Sequence, residues 1–217
     1  RVAEFAEGAQ SAGLDIEHGI QGENTSSHVT VGGVLNSLGV GPQGIQDVLG
    51  VAKLIKSRVG GSVESMPTLI DDPVVVASLR GNKGEVDSEY GKSTGRERAL
   101  GWLDLPELRR AIITNGVTDL AVTKLDCVPK AGETVKVATH YIDSADRRVD
   151  IMPNRMSELA GMRPVYEELP TWPDNISEIT RFQDLPANAR NFVRFIEGQL
   201  ETQVLYMGVG PDAHQVI

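Results

Sequence analysis

The amino-acid sequence predicts an α/β protein with a mostly parallel central sheet flanked by helices. Two observations carry that prediction. An amphipathic helix running straight into a short apolar strand occurs twice, and each of those strands ends in a polar or glycine-rich loop. In such sheets ligands bind outside the carboxyl ends of strands, so the two loops are candidate binding elements.

Taken in chain order, Glu7-Gly8-Ala9-Gln10 follows the apolar Val2–Phe5 and reads as a strand-to-turn element, with Gln10 able to pair with an amide-like edge. Asn24-Thr25-Ser26-Ser27 is a hydroxyl cluster suited to capping a helix or holding a phosphate. Gly39-Val40-Gly41-Pro42-Gln43-Gly44 matches the dinucleotide pattern G-x-G-x-x-G. That fingerprint needs a preceding strand, whereas Gly33–Leu38 is weak as one and Pro42 falls inside the turn, so an ordinary glycine-rich connection is expected. Residues Val48–Val59 fit both periodicities, and their β-branched content favours strand.

Gly91-Lys92-Ser93 looks like the end of a Walker A loop, yet the glycine required five residues earlier is Val86, so this is no P-loop. The stretch Gly91–Arg98 nevertheless gathers three cations and two hydroxyls. Guanidinium forks with nearby glycine backbone suit a small polyanion, and a solvated basic loop is the alternative. Asp104 with Glu107 three residues on is a capping-box pattern, Pro106 sits in the first turn, and Leu105, Leu108, Ala111 and Ile112 keep helical spacing up to the stop at Gly116. The strand candidate Leu120–Thr123 follows and ends in Lys124-Leu125-Asp126. An Asp carboxylate accepts from both the ring N–H and the exocyclic amine of guanine, while a Lys stem covers the base face; a strand that simply ends in a charged turn is the alternative.

Residues 143–148 read as a solvated, charged hairpin tip. The second unit opens at Asp184, keeps Leu185, Ala189, Phe192, Val193, Ile196 and Leu200 on one face with Pro186 in its first turn, and leads into the strand Val204–Met207 and the loop Gly208-Val209-Gly210-Pro211-Asp212. Glycines there let a backbone approach a flat base. His18, His28, His140 and His214 lack metal-ligand spacing, so no metal is assigned.

Composition narrows the function classes. With 21 Lys+Arg against 30 Asp+Glu, the formal charge of -9 argues against nucleic acid or anionic membrane as partner. No apolar run approaches the ~20 residues a membrane helix needs. The lone Cys127 has no internal disulfide partner and fits a reducing cytoplasm. The sequence opens Arg1-Val2-Ala3 without an initiator Met or a signal peptide, and reads as though it begins within a longer chain.

Taken together, Glu7–Gln10, Leu14–Gly19, Thr25–Ser27 with Gly32-Gly33, Thr94–Arg98 through Gly101–Asp104, Thr123–Asp126, Pro164–Pro170 and Val209–Asp212 resemble adenylosuccinate synthetases, in order and over essentially the whole chain. The resemblance is to the C-terminal half or so of that family, so residues 1–217 are expected to be the C-terminal portion of such a domain. It implies a partial form of the family's P-loop-NTPase-like fold and a GTP-dependent ligase that joins IMP and L-aspartate into adenylosuccinate, with Mg²⁺ as cofactor, a cytoplasmic homodimer as assembly, and small-molecule partners only. It further implies IMP contacts at Gln10, Thr25 and Arg96. Aspartate contacts are implied at Lys92, Ser93, Thr94, Gly95, Arg96, Glu97 and Arg98. GTP contacts are implied at Arg98, Lys124, Leu125, Asp126, Gly208, Val209 and Gly210.

No catalytic residue and no metal ligand is placed in this chain, because the family carries those in its N-terminal half, and this chain alone is expected to be inactive. Glu23 and His28 depart from the family's usual residues. Two other readings stand beside the ligase: a non-catalytic GTP-binding module or pseudoenzyme, and a paralogous synthetase acting on a 2-amino purine deoxynucleotide.

Overall fold

Both helix–strand units form. The computed structural model describes residues 5–60, 64–91, 95–172 and 175–217. Helix α1 (Val31–Leu38) ends at Gly39, whose left-handed φ of 64° closes it. Strands β1 (Leu49–Lys53) and β2 (Lys56–Val59) divide the expected strand 48–59 in two. Helix α2 (Pro73–Arg80) is capped by Asp72, which accepts from the backbone N–H groups of Val74 and Val75 at 2.8 and 3.3 Å. Strands β3 (Arg98–Gly101) and β4 (Leu103–Asp104) lead into helix α3 (Leu105–Asn115), and strand β5 (Asp119–Thr123) follows. The rest comprises β6 (Thr134–Ile142), β7 (Arg148–Val149), α4 (Met156–Leu159), β8 (Arg163–Pro170), α5 (Ala187–Leu200) and β9 (Gln203–Met207).

Strands β1, β5 and β9 form a parallel sheet with β5 in the middle. That sheet puts Thr123, the last residue of β5, beside Lys53 on one flank, and Val122 beside Met207 on the other. A second sheet is built on β6, which pairs in parallel with β4 and antiparallel with β7 and β8. Strands β2 and β3 form an antiparallel pair of their own, Val59 opposite Arg98.

Leu120 and Val122 of β5, Val204 and Met207 of β9, and Ala189, Phe192, Val193, Ile196 and Leu200 of α5 share one core. The spacing of the α5 residues is one helix face. Trp172 meets Phe192 edge-on at 5.9 Å between ring centroids.

The segment 39–44 is the glycine-rich connection expected, since Gly33–Leu38 before it is helix and it runs into a short 3-10 turn at Pro42–Gly44. Three other expectations need correction. Phe5–Gln10 forms no strand, and Val2–Glu4 lie outside the described residues. Asp184 does not cap α5: Pro186 holds that position, and the Asp184 carboxylate pairs with Arg181 at 2.8 Å. The 143–148 tip is not uniformly solvated. Asp143 is buried at its base, accepting from the Ala145 and Arg147 backbone N–H groups and from the Arg147 guanidinium at 2.8–2.9 Å.

Candidate functional site

The strand-tip loops expected to bind a ligand meet. Beyond β5 the chain turns at Lys124, whose φ of +66° lies in the left-handed region that costs a non-glycine residue about 1 kcal/mol. Leu125 is wholly buried, and its backbone N–H donates to the carbonyl of Gly208 at 3.1 Å. Gly208 N–H in turn donates to Val122 at 2.8 Å, so the two loops are stitched backbone to backbone. Their side chains border a cleft of about 260 Å³ lined by Val86, Asp87, Thr123, Lys124, Asp126, Cys127, Gly210 and Pro211. Val209 is buried beneath it. A Cβ on Gly210 would meet the end of the Gln215 side chain, which would have to swing aside.

The Lys124 ammonium donates to the Asp87 carbonyl at 2.5 Å and pairs with Glu89 at 2.7 Å, which pins its methylene stem as part of the cleft wall. Half-buried Asp126 keeps its carboxylate at that wall, contacted by the Cys127 Sγ at 3.5 Å. Burial, then the Asp126 charge, push the Cys127 thiol up to about 11, so it is a packing group rather than a nucleophile. Asp87, Asp126 and Cys127 bring three possible ligand atoms within 4.8 Å of one another. They do not fit Mg²⁺, a cation that takes oxygen ligands: one donor is a protonated thiol, and Asp87 is engaged by Lys130 at 3.1 Å.

Arg98 reaches the same neighbourhood from β3. Its guanidinium pairs with Glu89 at 3.1 Å, and its Nε is buried with no hydrogen-bond partner among the described residues. Glu89 is thus shared by Lys53, Lys124 and Arg98 while itself 2% exposed. Burial alone would raise its pKa, but the Lys124 hydrogen bond and the Lys53 charge overcome that and hold the carboxyl down to about 2. Gly95 has a φ of +63°, Arg96 and Glu97 are exposed, and Glu97 pairs with Arg80 at 2.9 Å. Lys92, Ser93 and Thr94 lie outside the described residues.

Gln10 and Thr25 belong to a knot of loops organised by Asp15. Its fully buried carboxylate accepts from the backbone N–H groups of Glu17 and His18 at 2.9 Å and of Val29 at 2.7 Å. Burial works against ionisation here, yet those backbone donors hold the carboxyl down to about 2. Ser27 Oγ donates to the Gln10 side chain at 3.3 Å, and Thr25 N–H donates to the Leu14 carbonyl at 2.8 Å. Arg58 of β2 ties this knot to the β2–β3 pair by donating to the Glu23 carbonyl at 3.1 Å and pairing with its carboxylate at 3.3 Å. Contacts therefore run from the Gln10 and Thr25 loops through Arg58 to the strand pair that carries Arg98.

Residues 4–217 match the family described as adenylosuccinate synthetase. The adenylosuccinate synthetase of Halothermothrix orenii is 44% identical over 213 residues, covering 98% of this chain and 48% of that protein. That of Exiguobacterium sp. is 39% identical over 211 residues, covering 97% and 47%. The chain therefore spans about half the length of the curated relatives it matches. The solved structure of fully ligated adenylosuccinate synthetase from Plasmodium falciparum superposes with a TM-score of 0.89 at 33% identity, over 97% of this chain and 49% of that one. A cyanophage S-2L succinoaminodeoxyadenylate synthetase structure shares the fold alone, at 16% identity and a TM-score of 0.56. The match over nearly every residue and the close superposition agree: the chain belongs to the adenylosuccinate synthetase family.

Proposed function

We propose that this chain supplies the guanine-, aspartate- and part of the IMP-binding surface of a GTP-dependent ligase that joins IMP and L-aspartate into adenylosuccinate, a step of AMP biosynthesis. The single observation that carries the reading is the cleft where the Lys124–Asp126 turn meets the Gly208–Pro211 loop. There Asp126 accepts from guanine N1–H and the 2-amino group, Lys124 lends its stem to one base face, and Gly208 and Gly210 admit the ring. Leu125 and Val209, buried below, act through their backbone. Arg98 serves the nucleotide and, with Lys92–Glu97, the aspartate carboxylates; Gln10, Thr25 and Arg96 hold the IMP.

The same proposal places the groups that do the chemistry, and the Mg²⁺ ligands, outside residues 1–217, in a longer polypeptide that acts as a cytoplasmic homodimer. Two features support a longer polypeptide. The chain covers about half of its relatives, and the parallel sheet leaves Leu49, Val51, Leu205 and Tyr206 exposed where such sheets are ordinarily covered on both faces. No helix is long and apolar enough to cross a membrane.

Steady-state kinetics of the complete synthetase polypeptide carrying this chain test the proposal. Asp126→Asn is expected to raise the KM for GTP at least about tenfold, as the loss of a charged hydrogen bond does, with the KM for IMP unchanged. An unaltered KM for GTP contradicts it.

A further inference from the structure

We infer that Glu89 is a positioning residue that clamps the guanine-reading turn and the aspartate-binding arginine together, so that the two ligand sites depend on one buried carboxylate. The inference rests on the proposed function for the roles of Lys124 and Arg98, and on geometry for the clamp.

Glu89 is one negative charge shared by three cations from three elements. Lys53 at the end of β1 meets both carboxylate oxygens at 3.1 Å, Lys124 meets one at 2.7 Å, and Arg98 of β3 meets the other at 3.1 Å. The backbone repeats the tie, since Arg98 N–H donates to the Glu89 carbonyl at 3.1 Å and Glu89 N–H donates to the Arg80 carbonyl at 2.9 Å. Lys124 also donates to Asp87, two residues before Glu89. The carboxylate therefore sits where the strand tip of the parallel sheet touches the separate β2–β3 pair.

Lysine stems and guanidinium groups adopt many rotamers, and a residue that holds two of them lowers the ordering cost of each ligand. Removing the shared charge leaves three cations facing one another in a half-buried space, which repels Lys124 and Arg98 apart. A loss of position should then appear in the binding of both ligands at once, whereas a merely structural knot would lower stability and the amount of active enzyme and leave both KM values alone.

The test uses the complete synthetase polypeptide that carries this chain. Glu89→Gln is expected to raise the KM for GTP and the KM for aspartate together, each at least about tenfold, with kcat changed no more than about threefold and the KM for IMP unmoved. Glu89→Asp keeps the charge but shortens the reach, and is expected to raise the same two KM values by less. If Glu89→Gln yields no folded protein, Glu89→Asp decides on those two values. A rise in only one of them, or in neither, overturns the inference. Asp126→Asn runs alongside and is expected to raise the KM for GTP alone. If it leaves that KM unchanged, the guanine reading fails and takes the clamp's ligand assignment with it; if it behaves as expected while the Glu89 variants do not, only the clamp fails.

Discussion

Replacing Asp15 by Asn removes one charge from the knot that carries Gln10 and Thr25, and its consequence follows from geometry. Three backbone N–H groups donate to the two carboxylate oxygens at 2.7–2.9 Å, and the side chain is fully buried. An Asn at this position offers one oxygen to Glu17 and His18, and must then point its own N–H₂ at the N–H of Val29, donor against donor. The depression of the carboxyl from 3.8 to about 2 corresponds to about 2 kcal/mol of folding free energy. At pH 7 the variant should therefore unfold at a Tm lower by about 4–8 °C, since 1 kcal/mol is worth about 2–4 °C in a chain of this size. The sign of the pH dependence is fixed by the direction of the shift. A carboxyl whose folded pKa is depressed contributes above its unfolded pKa and loses that contribution as pH falls from 3.8 towards 2. Denaturant unfolding of wild type and Asp15→Asn at pH 7 and pH 2.5 measures both quantities: the gap should shrink by about 1.5 kcal/mol, part of the contribution remaining because pH 2.5 is still above the folded pKa of about 2. Equal stability at pH 7, or a gap that does not change with pH, would refute the reasoning.

Three further expectations can be measured. Carbon-13 NMR of the Glu89 carboxyl should titrate with a midpoint near 2 rather than 4.5, so its stabilising contribution is complete above pH 4.5 and fades as pH falls towards 2; an ordinary midpoint would dissolve the three-cation cluster. Tyr141→Phe removes a hydroxyl that donates to buried Asp104 at 2.6–2.7 Å beside Lys56 at 3.2 Å, and should cost about 1.5–3 kcal/mol by denaturant unfolding. Gly19→Ala would put a Cβ 2.5–2.7 Å from the Asp15 backbone N and O and the Gly13 O, so folded yield should fall sharply, with Gly22→Ala, open to solvent but at a φ of +91°, the milder variant.

The helix after β4 and the two strand-tip loops were legible because they depend on local chemistry. Asp104, Pro106 and Gly116 delimit a helix by capping, and the structure has Asp104 accepting from Glu107 N–H at 3.2 Å with Gly116 left-handed. The second arm of that capping box does not form as the pattern suggests, because Glu107 is drawn to Lys56 at 2.6 Å, more than fifty positions away in sequence. Helix α2 was hidden by its own composition: Val74-Val75-Val76 favour strand, and only the Asp72-Pro73 cap and first turn reveal the helix. Glu89 was missed for a different reason. In sequence it is one acidic residue before a basic loop, and its importance comes from Lys53 and Lys124, which only the parallel pairing of β1 with β5 brings together. Asp15 is likewise silent in sequence, since its donors are backbone groups.

The central claim is that Asp126 reads a guanine edge in the cleft between the two strand-tip loops. The most direct measurement is the ratio of kcat/KM for GTP to that for xanthosine triphosphate, in the complete synthetase carrying this chain and in its Asp126→Asn variant. Xanthine bears an oxygen where guanine bears the 2-amino group, so a carboxamide can donate to it while still accepting from N1–H. The account predicts that the preference for GTP inverts in the variant; a ratio that is the same in both proteins would contradict it.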